Sequence, residues 1–287
     1  MKSNNKRHLI QALFAAISNG YLVGFAKGKI YTGPTKVLCA PGMNCYSCPG
    51  AVASCPIGSL QMMFNNRQYK MSLYVIGMLF IFGSILGRGV CAFLCPFGFI
   101  QDLLFQIPFV KKIRKIHGER VMRYVRYMIL FLFVIILPIG LFDNFGMGTP
   151  WFCKIICPVG TLEGGVILVL LNEGLRQAVD VLFEWKIVIL LIIILLSIVI
   201  YRPFCRYLCP LGAIYGLFNK YAIYRIVVDK DKCTECKACQ NTCKLDIPVW
   251  EKPDSIDCIR CGMCVDACSK GCITLNFFPE KARDNKV

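Results

Sequence analysis

Charge is scarce in this sequence. Charged residues make up 17%, against about 25% in an ordinary soluble domain, while hydrophobic residues reach 56% at a mean hydropathy of +0.56. That balance argues against a soluble enzyme and against a disordered chain. Histidine is nearly missing: His8 and His117 are the only two, too few for a multi-haem protein with paired His ligation. Neither a Walker loop nor a Rossmann glycine fingerprint occurs, so no nucleotide-reducing site is visible. Cysteine, by contrast, is abundant, with 19 in 287 residues. The opening MKSNNKR runs into an apolar stretch without a small-residue cleavage site and reads as an uncleaved anchor. A disulfide scaffold is therefore not expected. What remains is a membrane protein that uses thiolates as ligands or redox groups.

Four uncharged runs carry the membrane expectation: Leu9–Ala26, Met71–Gly87, Tyr127–Phe142 and Ile187–Tyr201. Each is slightly short of the ~20 residues that span a bilayer core, and flanking Lys, Arg, Trp and Tyr can extend them. Pro138 lies inside the third run and is expected to kink it. Segment 111–126 holds Lys111, Lys112, Arg114, Lys115, Arg120, Arg123 and Arg126, which places it on the cytoplasmic side. Four spans then put both termini inside and segment Asp143–Glu184 outside. Segment 27–70 would also lie outside, although it carries Lys27, Lys29, Lys36, Arg67 and Lys70. The net charge of +16 fits anionic lipid headgroups better than nucleic acid in such a chain.

One word recurs four times, Cys-Pro-apolar-Gly: Cys55–Gly58, Cys95–Gly98, Cys157–Gly160 and Cys209–Gly212. In three copies a second cysteine precedes by four residues: Cys91, Cys153 and Cys205. The first copy is irregular and offers Cys39, Cys45, Cys48 and Cys55. Each word is followed by a short apolar stretch, with proline suited to the first turn of a new helix. Each repeat thus reads as a span, a cysteine turn and a re-entrant half-helix. Helix starts present unpaired N–H groups and a positive dipole end, which stabilise thiolates and anionic clusters. A cubane needs four cysteines, so two turns must meet. Alternation of the spans pairs Cys91, Cys95, Cys205 and Cys209 at an inner site. It sends Cys153 and Cys157 to an outer site with a subset of Cys39, Cys45, Cys48 and Cys55. Dithiol–disulfide cycling of the same pairs is the competing chemistry.

The C-terminal region carries the most specific pattern. Cys233, Cys236, Cys239 and Cys243 follow x2, x2, x3 spacing, and Cys258, Cys261, Cys264 and Cys268 repeat it. This is two-cluster ferredoxin spacing, in which the fourth cysteine of each run ligates the other cluster. One 4Fe-4S cluster would use Cys233, Cys236, Cys239 and Cys268. The other would use Cys258, Cys261, Cys264 and Cys243. Zinc would want two Cys-x2-Cys pairs around a longer loop. Lys244 and Ser269 stand where a proline usually follows the fourth cysteine, and Cys272 is left over as a packed small residue. Asp102 and Glu163, on the expected half-helices, are candidates for proton transfer to a quinone, or else carboxylates near a helix start.

CAFLCPFG, CRYLCPLG and the tandem ferredoxin runs resemble membrane-bound polyferredoxins of the NapH and NosR type. The resemblance covers nearly the whole chain. It departs from NapH in the early NCYSCPGA…SCPIGSLQ, and from NosR in lacking a large extracytoplasmic flavin domain. It implies an electron-transfer subunit of an oxidoreductase system, with ferredoxin, flavoprotein or reductase partners. The expected architecture is an all-α membrane domain of about four spans with re-entrant half-helices, residues 1–224. A small α+β ferredoxin domain, 225–278, and a tail, 279–287, would follow. It would sit as a multi-pass protein of the cytoplasmic membrane with the ferredoxin domain inside. Two 4Fe-4S clusters are expected there, and one or two more in the membrane domain. The alternatives are a transmembrane thiol reductant and a non-catalytic iron–sulfur docking scaffold.

Overall fold

The computed structural model describes residues 2–65, 73–108, 111–114, 118–141 and 148–278. Arg67, Lys70, Lys115, His117, the two ends Met71 and Phe142 of expected spans, and the tail 279–287 lie outside the described residues.

Among the described residues two helices are long and apolar enough to cross a membrane, Val121–Gly140 and Val181–Val199. Val181–Val199 buries Leu190, Ile193 and Ser197 and turns Leu191, Ile192 and Leu195 outward. From Ile187 onward the helix is uncharged, and such an outward apolar face wants apolar surroundings. The other helix starts before the expected run and takes in Arg123 and Arg126 as its first turns. Both guanidinium groups are ion-paired to Asp257, at 2.6 and 2.8 Å, which makes their place at the helix start tolerable. Pro138 is accommodated by a widened, π-helical stretch just before it, Leu130–Ile136, a usual answer to a missing N–H and a clash with the preceding turn.

The two other expected spans are shorter. Tyr74–Leu86 has 13 residues, about 20 Å at 1.5 Å per residue. Lys2–Ser18 buries Arg7 and Gln11 and stops at Ser18, and Leu22–Lys27 follows after a break at Asn19–Tyr21. Arg7, paired inside the protein with Asp102, makes this first helix something other than an unbroken apolar run.

Each Cys-Pro word starts a helix, at Pro56–Asn65, Pro96–Phe105, Pro158–Gly160 (continuing to Leu171) and Pro210–Phe218. The cysteine is the N-cap in the last three. The sulfurs of Cys95 and Cys209 accept from the Gly98 and Gly212 amides at 3.4 Å each, using donors the helix leaves free. Before Cys157 and Cys209 the chain makes a π-helical turn, Phe152–Ile156 and Phe204–Leu208. The bonds Cys157 N to Phe152 O (3.0 Å) and Cys209 N to Phe204 O (2.9 Å) close them.

The C-terminal part pairs strand Tyr224–Val228 antiparallel with Ile273–Phe277, register Tyr224 to Phe277 and Val228 to Ile273. Two short helices, Ala238–Thr242 and Met263–Asp266, lie between them. One buried core holds the cysteine turns and the long helices. A second lies under the sheet and includes Ala92 and Tyr201 from the helical part, so the two parts share a packed joint. Asn219 Nδ2 donates to the carbonyls of Ser255 (2.9 Å) and Cys258 (2.8 Å) across it.

Candidate metal centres

The second and fourth cysteine turns meet beside the ferredoxin-like part. Cys91, Cys95, Cys205 and Cys209 are all buried, and their thiols interact with one another. Gln101 Nε2 donates to Cys205 Sγ at 3.1 Å, while its Oε1 accepts from the Phe204 amide at 3.2 Å. Phe97 and Phe204 pack edge to face across the joint at 5.3 Å. The glycines of the words have a steric reason. A Cβ on Gly98 would meet the Cys91 carbonyl at 3.1 Å and Arg202 at 3.3 Å, and one on Gly212 would meet Arg88 and the Cys205 carbonyl, each at 3.2 Å.

The first and third turns meet in the same way at a second site. Gln61 Nε2 donates to Cys153 Sγ at 3.3 Å and its Oε1 accepts from the Phe152 amide at 3.0 Å. A cavity of about 370 Å³ lies here, lined by Cys45, Cys55, Cys153 and Cys157. Gly160 also lines it, facing Cys45 Sγ with no side chain of its own. Four thiols lining one open space fit a cubane's donor set. Cys39 and Cys48 point elsewhere: Cys39 to the Ser59 hydroxyl and Cys48 to Asn19 Oδ1, each at 3.4 Å. Among the described residues no three His, Cys, Asp or Glu side chains converge as they would on a single metal ion. A cubane spreads its four ligands over separate irons and needs no such convergence.

The two sites lie in one core. Gly42 packs against the inner set, where a Cβ on it would meet the Cys95 Cα at 2.8 Å, while Met43 beside it lines the outer cavity and Cys45 two residues on faces it. Tyr215, fully buried, donates to the Pro41 carbonyl at 2.9 Å and holds this loop. It lies in the same buried core as Cys55, Cys91 and Cys95.

In the C-terminal part, Cys233, Cys236, Cys239 and Cys268 line one pocket with Cys272. Cys272 Sγ is 3.3 Å from Cys268 Sγ, so the leftover cysteine packs against this set. Cys243 stands among Cys258, Cys261 and Cys264. Left-handed backbone at Glu235, Lys237 and Arg260 (φ 51, 60 and 56°) turns the chain between the cysteines. A narrow cleft beside the inner site is lined by Cys205 and Arg88 and, from the C-terminal part, by Leu245 and Ile259.

Asp102 is the hub of an ion-pair cluster. Arg202 Nε and Nη2 donate to it at 2.7 and 2.5 Å, and Arg7 Nη1 at 2.7 Å. Burial raises its pKa, but the two guanidinium groups outweigh that and hold it well below the usual carboxylate range. An acid so held stays ionised, so it does not suit proton transfer. Asp257 is likewise lowered against its burial, by Arg88, Arg126 and Arg123. Glu163 Oε2 accepts from the Cys45 amide at 2.7 Å and so fixes an outer-site cysteine.

Sequence reasoning missed Gln61, Gln101 and Tyr215. With Glu163 they stand six residues after the proline-preceding cysteines, on the helix the word starts, and each reaches across to another segment. The signal was a polar residue at a constant offset inside an apolar stretch. A second missed signal is Arg88 and Arg202, each three residues before the first cysteine of its word.

Comparison with known proteins points to iron–sulfur chemistry. Residues 70–117, 125–171 and 185–230 match the model of a 4Fe-4S binding domain, each stretch containing one of the regular Cys-x3-Cys-Pro turns. An uncharacterized protein of Methanocaldococcus jannaschii is 26% identical over 211 residues, covering 71% of this chain and 70% of its own. The ferredoxin-type protein NapH of Haemophilus influenzae is 38% identical over 94 residues, 29% of this chain and 33% of its own. The methylamine utilization ferredoxin-type protein MauN of Paracoccus denitrificans is 28% identical over 158 residues, 55% of this chain and 48% of its own. No solved structure matches. The chain is an iron–sulfur protein of the ferredoxin type that serves electron transport. Its similarity to the NapH proteins of Haemophilus influenzae and Escherichia coli supports a NapH-like polyferredoxin.

Proposed function

We propose that this protein holds four 4Fe-4S sites in file and conducts electrons across the membrane between redox protein partners. The ligand sets would be Cys233, Cys236, Cys239 and Cys268, then Cys258, Cys261, Cys264 and Cys243. The inner set would be Cys91, Cys95, Cys205 and Cys209, and the outer set Cys45, Cys55, Cys153 and Cys157. When bound, such clusters supply one-electron chemistry without a proton. The chain itself places the sites, excludes water from the inner one and supplies N–H donors to the sulfurs from Gly98, Gly212, Gln61 and Gln101.

The observation that carries the transmembrane reading is the loop from Gly42 to Cys45, which packs against Cys95 of the inner set and lines the outer cavity through Met43 and Cys45. Four crossings, by Lys2–Ser18, Tyr74–Leu86, Val121–Gly140 and Val181–Val199, would leave residues 1–224 in the membrane and 225–278 on the cytoplasmic side beside the basic segment 111–126. The shorter helices would be completed by polar and aromatic flanks. Anionic lipid and a quinone are the further partners this placement suits.

Anaerobic iron analysis tests the cluster count. The proposal expects ~16 iron per chain, at four per cubane, and the ferredoxin clusters alone would give ~8. About 8 iron together with trapped Cys91–Cys95 or Cys153–Cys157 disulfides would replace the proposal with thiol chemistry.

A further inference from the structure

Arg88 and Arg202 occupy matching places at the inner site. Each reaches across to the opposite word. Arg202 Nη1 donates to the Cys91 carbonyl at 2.6 Å, and Arg88 Nη2 donates to the Cys205 carbonyl at 3.0 Å. Both are essentially buried, at 1% and 2% exposure. The third word has Pro150 at the equivalent place before Cys153, so the outer site lacks this pair.

The charge around the inner site is not balanced by its acids. Among the described residues Arg7 and Arg202 share Asp102, and Arg88, Arg123 and Arg126 share Asp257. Arg123 and Arg206 share Glu119. Six guanidinium groups therefore meet three carboxylates, leaving an excess of three positive charges. A charge excess in a buried site costs much unless an anion offsets it. Four thiolates holding a cubane are that anion, and its negative charge grows by one on reduction. Among the described residues the cations near the outer cavity are Lys154, which is exposed, and Lys186 and Lys36, which are partly exposed, so water screens them. Glu163, a buried acid there among the described residues, adds no positive charge.

We propose that Arg88 and Arg202 set the reduction potential of the inner site, holding it more positive than its buried, water-free surroundings alone would give. Net charge is among the determinants of a cluster's potential, and a fixed charge acts most strongly where the dielectric is low. Arg88 adds a second effect. It also donates to the Ile256 carbonyl at 3.1 Å, two residues from Cys258, and so straps the neighbouring ferredoxin-type site to the inner one. The inference rests on Cys91, Cys95, Cys205 and Cys209 holding a cluster.

The test is an EPR-monitored redox titration of the purified full-length protein in detergent, under anaerobic conditions. The inner signal is identified as the one lost in Cys205→Ala. Arg88→Gln is expected to shift its midpoint to more negative potential with iron content unchanged. Arg88→Lys should restore most of the wild-type value. Asp257→Asn, which removes a compensating negative charge, should shift the midpoint the other way. Shifts of opposite sign do not arise from general loosening of the fold. An unchanged midpoint in Arg88→Gln, or shifts of one sign in both Arg88→Gln and Asp257→Asn, would overturn the inference. If the wild-type protein gives ferredoxin-type signals alone and Cys205→Ala removes none, the cluster reading of the inner site fails, and this inference with it.

Discussion

Gln101 and Cys205 are joined by an N–H···S hydrogen bond of 3.1 Å between a half-helix that follows one cysteine turn and the first cysteine of another. Gln61 and Cys153 repeat the contact at 3.3 Å. In both pairs the same glutamine also accepts from the amide of the phenylalanine before that cysteine, Phe204 and Phe152. The glutamine therefore fixes how two turns meet. Gln101→Leu leaves the buried Phe204 amide without its acceptor, and a buried unpaired donor costs about 1–3 kcal/mol. We expect this variant to lower thermal stability and to loosen the inner site selectively. Iron analysis after mild chelator treatment should show loss of one cluster, with the outer and ferredoxin-type sites retained. Equal loss from every site would show that Gln101 has no special tie to the inner turns.

The division of labour among the early cysteines is open to direct test. Cys45 and Cys55 line the outer cavity, whereas Cys39 and Cys48 hydrogen-bond to Ser59 and Asn19. Cys39→Ala and Cys48→Ala should keep wild-type iron. Cys45→Ala and Cys55→Ala should each lose ~4 iron, one cubane. The reverse pattern would reassign the outer ligands.

Asp102 predicts an acid-sensitive joint. Its folded pKa is lowered by Arg202 and Arg7 in spite of burial. Its contribution to stability is thus fully present above the unfolded value of about 3.9 and is lost as pH falls through the lower folded value. Asp102→Asn leaves Arg7 and Arg202 buried without their carboxylate, a change that typically costs about 3–5 kcal/mol. Melting curves in detergent should show a large wild-type advantage at pH 7 that narrows in acid below pH ~4. A gap independent of pH would mean that the ion pairs do not account for it.

Crossed ligation in the ferredoxin-type part has its own readout. Cys268 lies in the pocket of Cys233, Cys236 and Cys239, and Cys243 stands among Cys258, Cys261 and Cys264. Cys239→Ser and Cys268→Ser should therefore perturb the same EPR signal, and Cys243→Ser the other. If Cys239→Ser and Cys243→Ser perturb one signal together, each run serves a single cluster and the crossing is wrong.

Much of this organisation was legible because cysteine spacing is a strong chemical signal. The tandem runs from Cys233 to Cys268 and the words at Cys95, Cys157 and Cys209 stand out without any alignment. The meeting of the second turn with the fourth follows from alternating directions of the helices between them. The irregular first word was not resolvable. Four cysteines within 17 residues offer several subsets, and only the orientation of Ser59, Asn19 and the cavity distinguishes them. Helix extents were also misjudged, because an uncharged run is a poor guide where arginines are paired. Arg123 and Arg126 begin a long helix by binding Asp257, which lies more than 100 residues away in sequence. Arg7 enters the protein for the same kind of reason, through Asp102. The Asp102 carboxylate, read as a proton-transfer candidate from its place in an apolar stretch, is instead an ion-pair hub, which pairwise contacts alone reveal.

The most direct test of the central claim uses sealed proteoliposomes oriented with the ferredoxin-type part inside, a reduced donor trapped with it and an impermeant acceptor outside. Transmembrane conduction predicts reduction of the acceptor by the intact protein, abolished in Cys153→Ala and Cys157→Ala while the inner and ferredoxin-type signals persist. Reduction at an unchanged rate in those variants, or none by the intact protein although its inner clusters are reduced, would contradict it.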